Sequence, residues 1–176
     1  MHDIGKPTCY TEDENGGHFY GHGVPSRDIA ESVVERLKFD NRTKNGVVEL
    51  VLYHDAVIEP TIKVVKRWLN KVGEEQLFRL LDIRMADILA HAKGTQQSRI
   101  DRCRAVRKIA EDILASEQCF KLKYLAVNGN DLMEIGIPQG REVGNTLNWL
   151  LDMVINGEAQ NKKDELLSLA QTRRTI

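Results

Sequence analysis

Long apolar runs are missing from this 176-residue chain. No window approaches the roughly 18 apolar residues that a membrane-spanning helix needs. Nor does the N-terminus carry a basic region followed by an apolar stretch, so nothing reads as a signal peptide. Cysteine is scarce: Cys9, Cys103 and Cys119 are odd in number and show no CxxC spacing. That argues against a zinc ribbon or a disulfide framework and for reduced thiols in a cytoplasmic protein. Charge of one sign is lacking too, with 25 Lys and Arg against 26 Asp and Glu, so the chain as a whole makes no argument for nucleic acid. Proline is rare, and there is no low-complexity tract and no internal repeat. At 41% hydrophobic and 29% charged, the chain has the composition of a soluble globular protein able to bury one or two compact cores.

Against that plain background the first residues stand out. Met1-His2-Asp3-Ile4-Gly5-Lys6-Pro7 places an imidazole and a carboxylate side by side. His22, His54 and Asp87 recur downstream, in Tyr20-Gly21-His22, Tyr53-His54-Asp55 and Met85-Ala86-Asp87. Mixed imidazole and carboxylate donors suit Mn, Fe, Ni, Zn or Mg better than a thiolate-seeking metal. Each residue also has a plainer reading. His22 could satisfy loop backbone, His54 could sit against a helix C-terminal dipole, and Asp87 could pair with Arg84 three residues earlier. Asp87 is the telling case, because an Asp among Ile83, Met85, Ile88 and Leu89 is costly unless something binds it. His18 and His91 lie in no patterned context. Chain ends are normally poorly held, so a metal site starting at residue two suggests the tail end of something longer.

The organisation reads as all-α. Gly16-Gly17, Gly21, Gly23 and Pro25 among polar residues predict a loop over residues 8–25. Ser26 then reads as an N-cap, with Ile29, Ala30, Val33, Val34 and Leu37 at helical spacing. Val47, Leu50, Val51 and His54 predict a second helix, and Thr61 to Val72, carrying Ile62, Val65 and Leu69, a third ended by Gly73. Glu74 to Lys93 predicts a long helix with Leu77, Leu80, Leu81, Met85, Ile88 and Leu89 inward and Gly94 as its stop. Ser98 reads as the cap of another, with Ile100, Cys103, Val106, Ile109, Ala110, Ile113 and Leu114 on one side. Gly129, Gly136, Pro138 and Gly140 mark a boundary with short elements, and two more helices are predicted near Arg141 to Ile155 and Asn161 to Thr172. The expected division is a helical bundle over 1–118 and a smaller helical unit over 119–176.

Charge is uneven locally. Between Lys93 and Lys108 stand Lys93, Arg99, Arg102, Arg104, Arg107 and Lys108 against the single acid Asp101. Such a segment predicts either a solvated helix face or a surface that engages phosphate.

The motifs in this order resemble two known groups. His2-Asp3-Ile4-Gly5-Lys6-Pro7, Phe19-Tyr20-Gly21-His22 with Ser26, Tyr53-His54-Asp55 and Arg84-Met85-Ala86-Asp87 resemble the stations of the HD-domain metal-dependent phosphohydrolases. Asn128-Gly129-Asn130-Asp131-Leu132 and Gly136-Ile137-Pro138-Gln139-Gly140-Arg141-Glu142-Val143-Gly144 are similar to the body-to-tail signature of bacterial tRNA nucleotidyltransferases. Leu147 to Leu151 and Asn161 to Leu167 continue that pattern, so the resemblance spans nearly the entire chain.

The resemblance implies a divalent metal (Mn, Ni, Mg or Co) held by His2, Asp3 and Asp87, with His22 and His54 as further ligand candidates. It implies catalytic roles for Asp3, Lys6 and Asp87, and RNA phosphate contacts from Arg99, Arg102, Arg104, Arg107 and Lys108. It also implies a tRNA or other RNA 3′ end as partner. The nucleotidyltransferase head, with its Gly-Ser strand and Asp-x-Asp carboxylates, has no counterpart here. The HD group takes one more His from an upstream helix, so the expected bundle lacks its first helix and its site one ligand. An apolar patch left by that helix would make homodimerisation expected. The leading expectation is the C-terminal half of a tRNA nucleotidyltransferase-like protein that does not add nucleotides alone. The alternatives are an autonomous HD phosphohydrolase acting on 2′,3′-cyclic phosphates or nucleotides, and a helical interaction module without chemistry.

Overall fold

A computed structural model describes residues 1–14, 16–90, 96–116 and 118–174. Among these, eight α-helices, two short 3-10 helices (Lys6–Cys9 and Leu122–Tyr124) and one two-stranded hairpin account for the regular structure, so the protein is all-α. Residues 11–13 and 16–18, read from sequence as loop, form antiparallel strands β1 (Thr11–Asp13) and β2 (Gly16–His18), with Thr11 opposite His18. The helices are α1 (Gly23–Arg36), α2 (Asn41–Tyr53), α3 (Ile62–Val72), α4 (Glu74–Ala90), α5 (Gln97–Ala115), α6 (Gly129–Glu134), α7 (Arg141–Asn156) and α8 (Lys163–Arg174). No helix among the described residues is long and apolar enough to cross a membrane. Lys93, the expected stop Gly94 and His91 lie outside the described residues.

The chain divides into two compact units that interleave in sequence: residues 1–58 with 72–107, and residues 59–71 with 108–176. In the first unit, Ala30 and Val34 of α1, Val51 of α2, Leu77, Leu80, Leu81 and Ile88 of α4, and Cys103 and Val106 of α5 are buried. Their three- and four-residue spacing is the apolar stripe of a helix facing a core. Leu37, Ile62 and Leu89, expected inward, are exposed. Leu37 and Ile62 stand at helix ends, and Leu89 follows Ile88 around the helix by one residue, which turns it about 100° off the stripe. Asp40 caps α2 by accepting the Thr43 N–H at 3.0 Å.

The second unit buries Leu132, Ile137, Leu150, Leu151, Val154, Leu166 and Ala170 in one cluster. Its shortest helix is closed by a capping box: the Asn128 side chain accepts from the N–H of Asn130 and Asp131, and Asp131 accepts the Asn128 N–H at 2.8 Å. Lys163 donates to the other Asp131 oxygen at 2.6 Å. Gly157, at φ +76°, ends α7 in the left-handed conformation that an L side chain rarely adopts.

Candidate metal centre

Two glycines set the geometry at the N-terminus. A Cβ on Gly5 would stand 2.5 Å from the Ser26 backbone nitrogen and 2.8 Å from its hydroxyl. Only glycine lets the Asp3–Lys6 turn lie this close to the first turn of α1. Ser26 is therefore not the N-cap that its sequence suggests. Helix α1 starts three residues earlier, and the fully buried Ser26 hydroxyl instead accepts the Gly5 N–H at 2.9 Å. A Cβ on Gly23 would stand 2.9 Å from the Leu52 carbonyl oxygen, so the start of α1 sits directly on the end of α2. This apposition places His22 beside His54.

Both rings are buried. His22 Nδ1 lies 2.8 Å from the Phe19 carbonyl and His54 Nδ1 lies 2.8 Å from the Val51 carbonyl. A carbonyl only accepts, so each Nδ1 carries a proton and each Nε2 is turned to the other side. Those two Nε2 atoms face each other at 3.0 Å. Asp3 Oδ1 completes the triangle, 3.3 Å from His22 Nε2 and 3.5 Å from His54 Nε2. Three electron-pair donors within 4.8 Å of one another repel unless a proton or a cation stands among them. The tautomers are set by backbone carbonyls, as in protein metal centres. The donor set therefore fits a divalent cation, and a possible His/Asp metal site is present.

The other expected ligands lie next to this trio. His2 Nε2 is 3.4 Å from Asp3 Oδ2 and 3.9 Å from Asp87 Oδ1, and its ring centroid is 5.0 Å from that of His54. Asp87 also meets Arg99 at 3.7 Å. Lys6 donates to Asp3 Oδ2 at 2.7 Å. Burial alone would raise the Asp3 carboxyl, but the Lys6 hydrogen bond and the positive field of His2 and Lys6 hold it below the ordinary carboxylate value. Asp3 thus stands ionised and ready to ligate. The trio forms one wall of an open cavity of about 340 Å³ that also exposes Lys6, Phe19, Tyr20 and Asp87. Tyr20 stacks on His18 at its rim, with centroids 5.0 Å apart.

The basic segment is less uniform than its composition suggests. At about 100° per residue, its side chains point around α5 and not to one face. Arg107 donates to Asp82 and lies over the Phe78 ring at 5.2 Å, Lys108 pairs with Asp112 at 2.7 Å, and Arg104 is exposed. Arg99 and Arg102 instead line a second cavity together with Arg84. The sequence reading gave Arg84 no role at the site beyond that of a partner for Asp87. In the structure it donates to the Ala56 carbonyl and lies 3.5 Å from that of His54. It thereby braces the backbone that carries a ligand candidate. The signal that marks it is its place on the helix turn before Asp87, facing the same region.

An all-α protein with convergent imidazole and carboxylate donors is the class that fold and site define. The chain belongs to the tRNA nucleotidyltransferase domain 2 family, whose model matches residues 24–170. Over 161 residues it is 25% identical to the A-adding tRNA nucleotidyltransferase of Deinococcus radiodurans. That alignment takes in 90% of this chain and 37% of the relative, so the chain spans little more than a third of the curated protein it matches. No solved structure matches the chain. The family match includes His54 and Asp87, whereas His2, Asp3, Lys6 and His22 precede it.

Proposed function

We propose that this chain is the RNA-holding portion of a tRNA nucleotidyltransferase-like protein and carries a divalent-metal phosphohydrolase site of the HD type. The family match over residues 24–170 supports the first half. The facing Nε2 atoms of His22 and His54 with Asp3 Oδ1 support the second. In the complete protein the reaction served is addition at the tRNA 3′ end. Nucleotidyl transfer is assigned to none of this chain's residues, because its sequence holds no Gly-Ser element followed by Asp-x-Asp. Its three cysteines are free, in keeping with the cytoplasm as its compartment.

On this reading His22, His54 and Asp3 hold the cation, with His2 and Asp87 beside them as further ligands. Such an ion, when bound, supplies positive charge at a phosphoryl oxygen and acidifies its water. The protein's own contribution is orientation. The Phe19 and Val51 carbonyls hold both imidazoles in one tautomer, Arg84 braces the His54 turn, and the Lys6 ammonium neutralises a phosphate entering the cavity. Exposed cations of α5, Arg99, Arg102 and Arg104 foremost, position RNA through its phosphates without reading bases. Such binding weakens steeply with salt.

Hydrolysis of 2′,3′-cyclic AMP with added Ni or Mn tests the site. Turnover abolished by Asp3→Ala, His54→Ala and Asp87→Ala is expected, and turnover indifferent to all three refutes it. A tRNA affinity that is flat between low and moderate salt refutes the phosphate-contact role. A second reading, an autonomous phosphohydrolase, is favoured by one observation: every group named at the site belongs to the same compact unit. It predicts turnover undiminished when the second unit is destabilised.

A further inference from the structure

Aromatic side chains make up only 6% of the chain, yet three of them, Tyr10, Phe19 and Tyr20, crowd onto the flanks of the β1–β2 hairpin and stay exposed, at 52%, 37% and 76%. A single exposed ring is ordinary, whereas a cluster of them beside a polar cavity marks a contact surface. Tyr10 packs against Phe19, with centroids 5.5 Å apart. Tyr20 lies nearly parallel to the His18 imidazole, at 5.0 Å and 15°. That imidazole is itself held, since its Nε2 lies 2.9 Å from Asp13 Oδ1 across the hairpin. One face of the Tyr20 ring is thus backed by a fixed ring, and its high exposure leaves the other face to solvent. His18, Phe19 and Tyr20 line the same cavity as Asp3, Lys6 and His22. Tyr20 precedes His22 by two residues, and two residues of backbone reach at most about 7 Å. A ribose bridges a comparable gap between a phosphate and its base.

We propose that Tyr20, backed by His18, is a stacking platform for a nucleobase whose phosphate lies at the metal centre. The inference deepens the phosphohydrolase reading and rests on it for the phosphate end, while the stacking itself does not. Tyr20 makes the cavity select for a base as well as a phosphate, because a phosphoester without a base has nothing to lay on the ring. It also selects an unpaired base, since neighbours cover both faces of a base inside a duplex. Every base has a π-face, so the platform favours a base without choosing which one.

Two measurements on the full chain test it. In the first, 2′,3′-cyclic AMP and the base-free methyl riboside 2′,3′-cyclic phosphate are hydrolysed with Mn. The wild type is expected to prefer the base-bearing ester by about tenfold in kcat/KM, the value of one stacked base. Tyr20→Leu should raise KM for 2′,3′-cyclic AMP by about the same factor with kcat little moved, and Tyr20→Trp should restore it. Tyr124→Leu, an exposed tyrosine of the other unit, should change nothing. Equal use of both esters by the wild type, a loss in Tyr20→Leu that falls on kcat or on both esters alike, or failure of Tyr20→Trp to rescue overturns the platform. The second measurement needs no turnover. Adenosine 3′-monophosphate should quench the indole fluorescence of Tyr20→Trp saturably, above the signal of Trp68 and Trp149, which both lie in the other unit. Absence of saturable quenching overturns the platform. Quenching without hydrolysis by any variant keeps the platform and sinks the phosphohydrolase reading, and hydrolysis without quenching or base preference sinks the platform alone.

Discussion

The two compact units use their interiors differently. The second packs Leu132, Leu150, Leu151, Leu166 and Ala170 into one apolar cluster, and its buried carboxylate, Asp131, closes the start of α6. The first buries His22, His54, Ser26 and much of Arg84 among its apolar residues. Burial of a polar group costs stability unless a partner compensates, so a fold that buries two facing imidazoles beside a carboxylate gives up packing for convergence. The contrast separates a unit with an apolar interior from one whose interior brings imidazoles and a carboxylate together.

The contrast breaks most visibly through the second unit's core. Leu150→Ala is expected to destabilise by about 2–5 kcal/mol, read as a lowered urea midpoint, while Mn binding to the native protein stays unchanged. A loss of Mn affinity in that variant would show that the units are not separable in this way. The next largest effect should come from Ser26→Ala. It strands the buried Gly5 N–H at about 1–3 kcal/mol and loosens the turn carrying Asp3, so stability and Mn affinity should fall together. Stability lost without affinity would mean that the turn holds its place by other contacts.

These residues also show what was legible in the sequence. Helices α1 to α5, α7 and α8 follow apolar spacing closely enough to be read, and the motif order placed the chain in its family. His2-Asp3 was singled out because adjacency alone suggests metal donors, and His22 and His54 were named as further ligand candidates. That those two rings close on Asp3 was not readable, because they are 32 residues apart and meet only through the close approach of Gly23 to Leu52. Ser26 was read as a cap because the sequence contains the cap residue type but not the Gly5 N–H that claims its hydroxyl. The hairpin escaped because its glycines resemble loop. The distribution of the basic segment around α5 was not readable for a related reason: composition counts charges, whereas helical rotation decides which of them share a wall.

A smaller effect sharpens the comparison from the acid side. The Lys163 and Asn128 hydrogen bonds hold the Asp131 carboxyl below its ordinary value. A carboxyl depressed in the folded state contributes stability above its unfolded pKa of about 3.9, and that stability disappears as pH falls through the lower folded value. Melting temperature should therefore fall below about pH 4, and Asp131→Asn should lower it at neutral pH while flattening that acid limb. An unchanged acid limb would remove Asp131 from the pH response.

The central claim is that His22, His54 and Asp3 together bind a divalent cation. A titration of the full chain with Mn, followed by the loss of the free-ion electron paramagnetic resonance signal, tests it most directly, with His54→Ala and Asp3→Asn alongside. The account predicts one site per chain whose affinity falls at least about tenfold in each variant, the lower end of what removing even a supporting residue does to a metal centre. Equal binding by the wild type and both variants, or no binding by any of them, would contradict it.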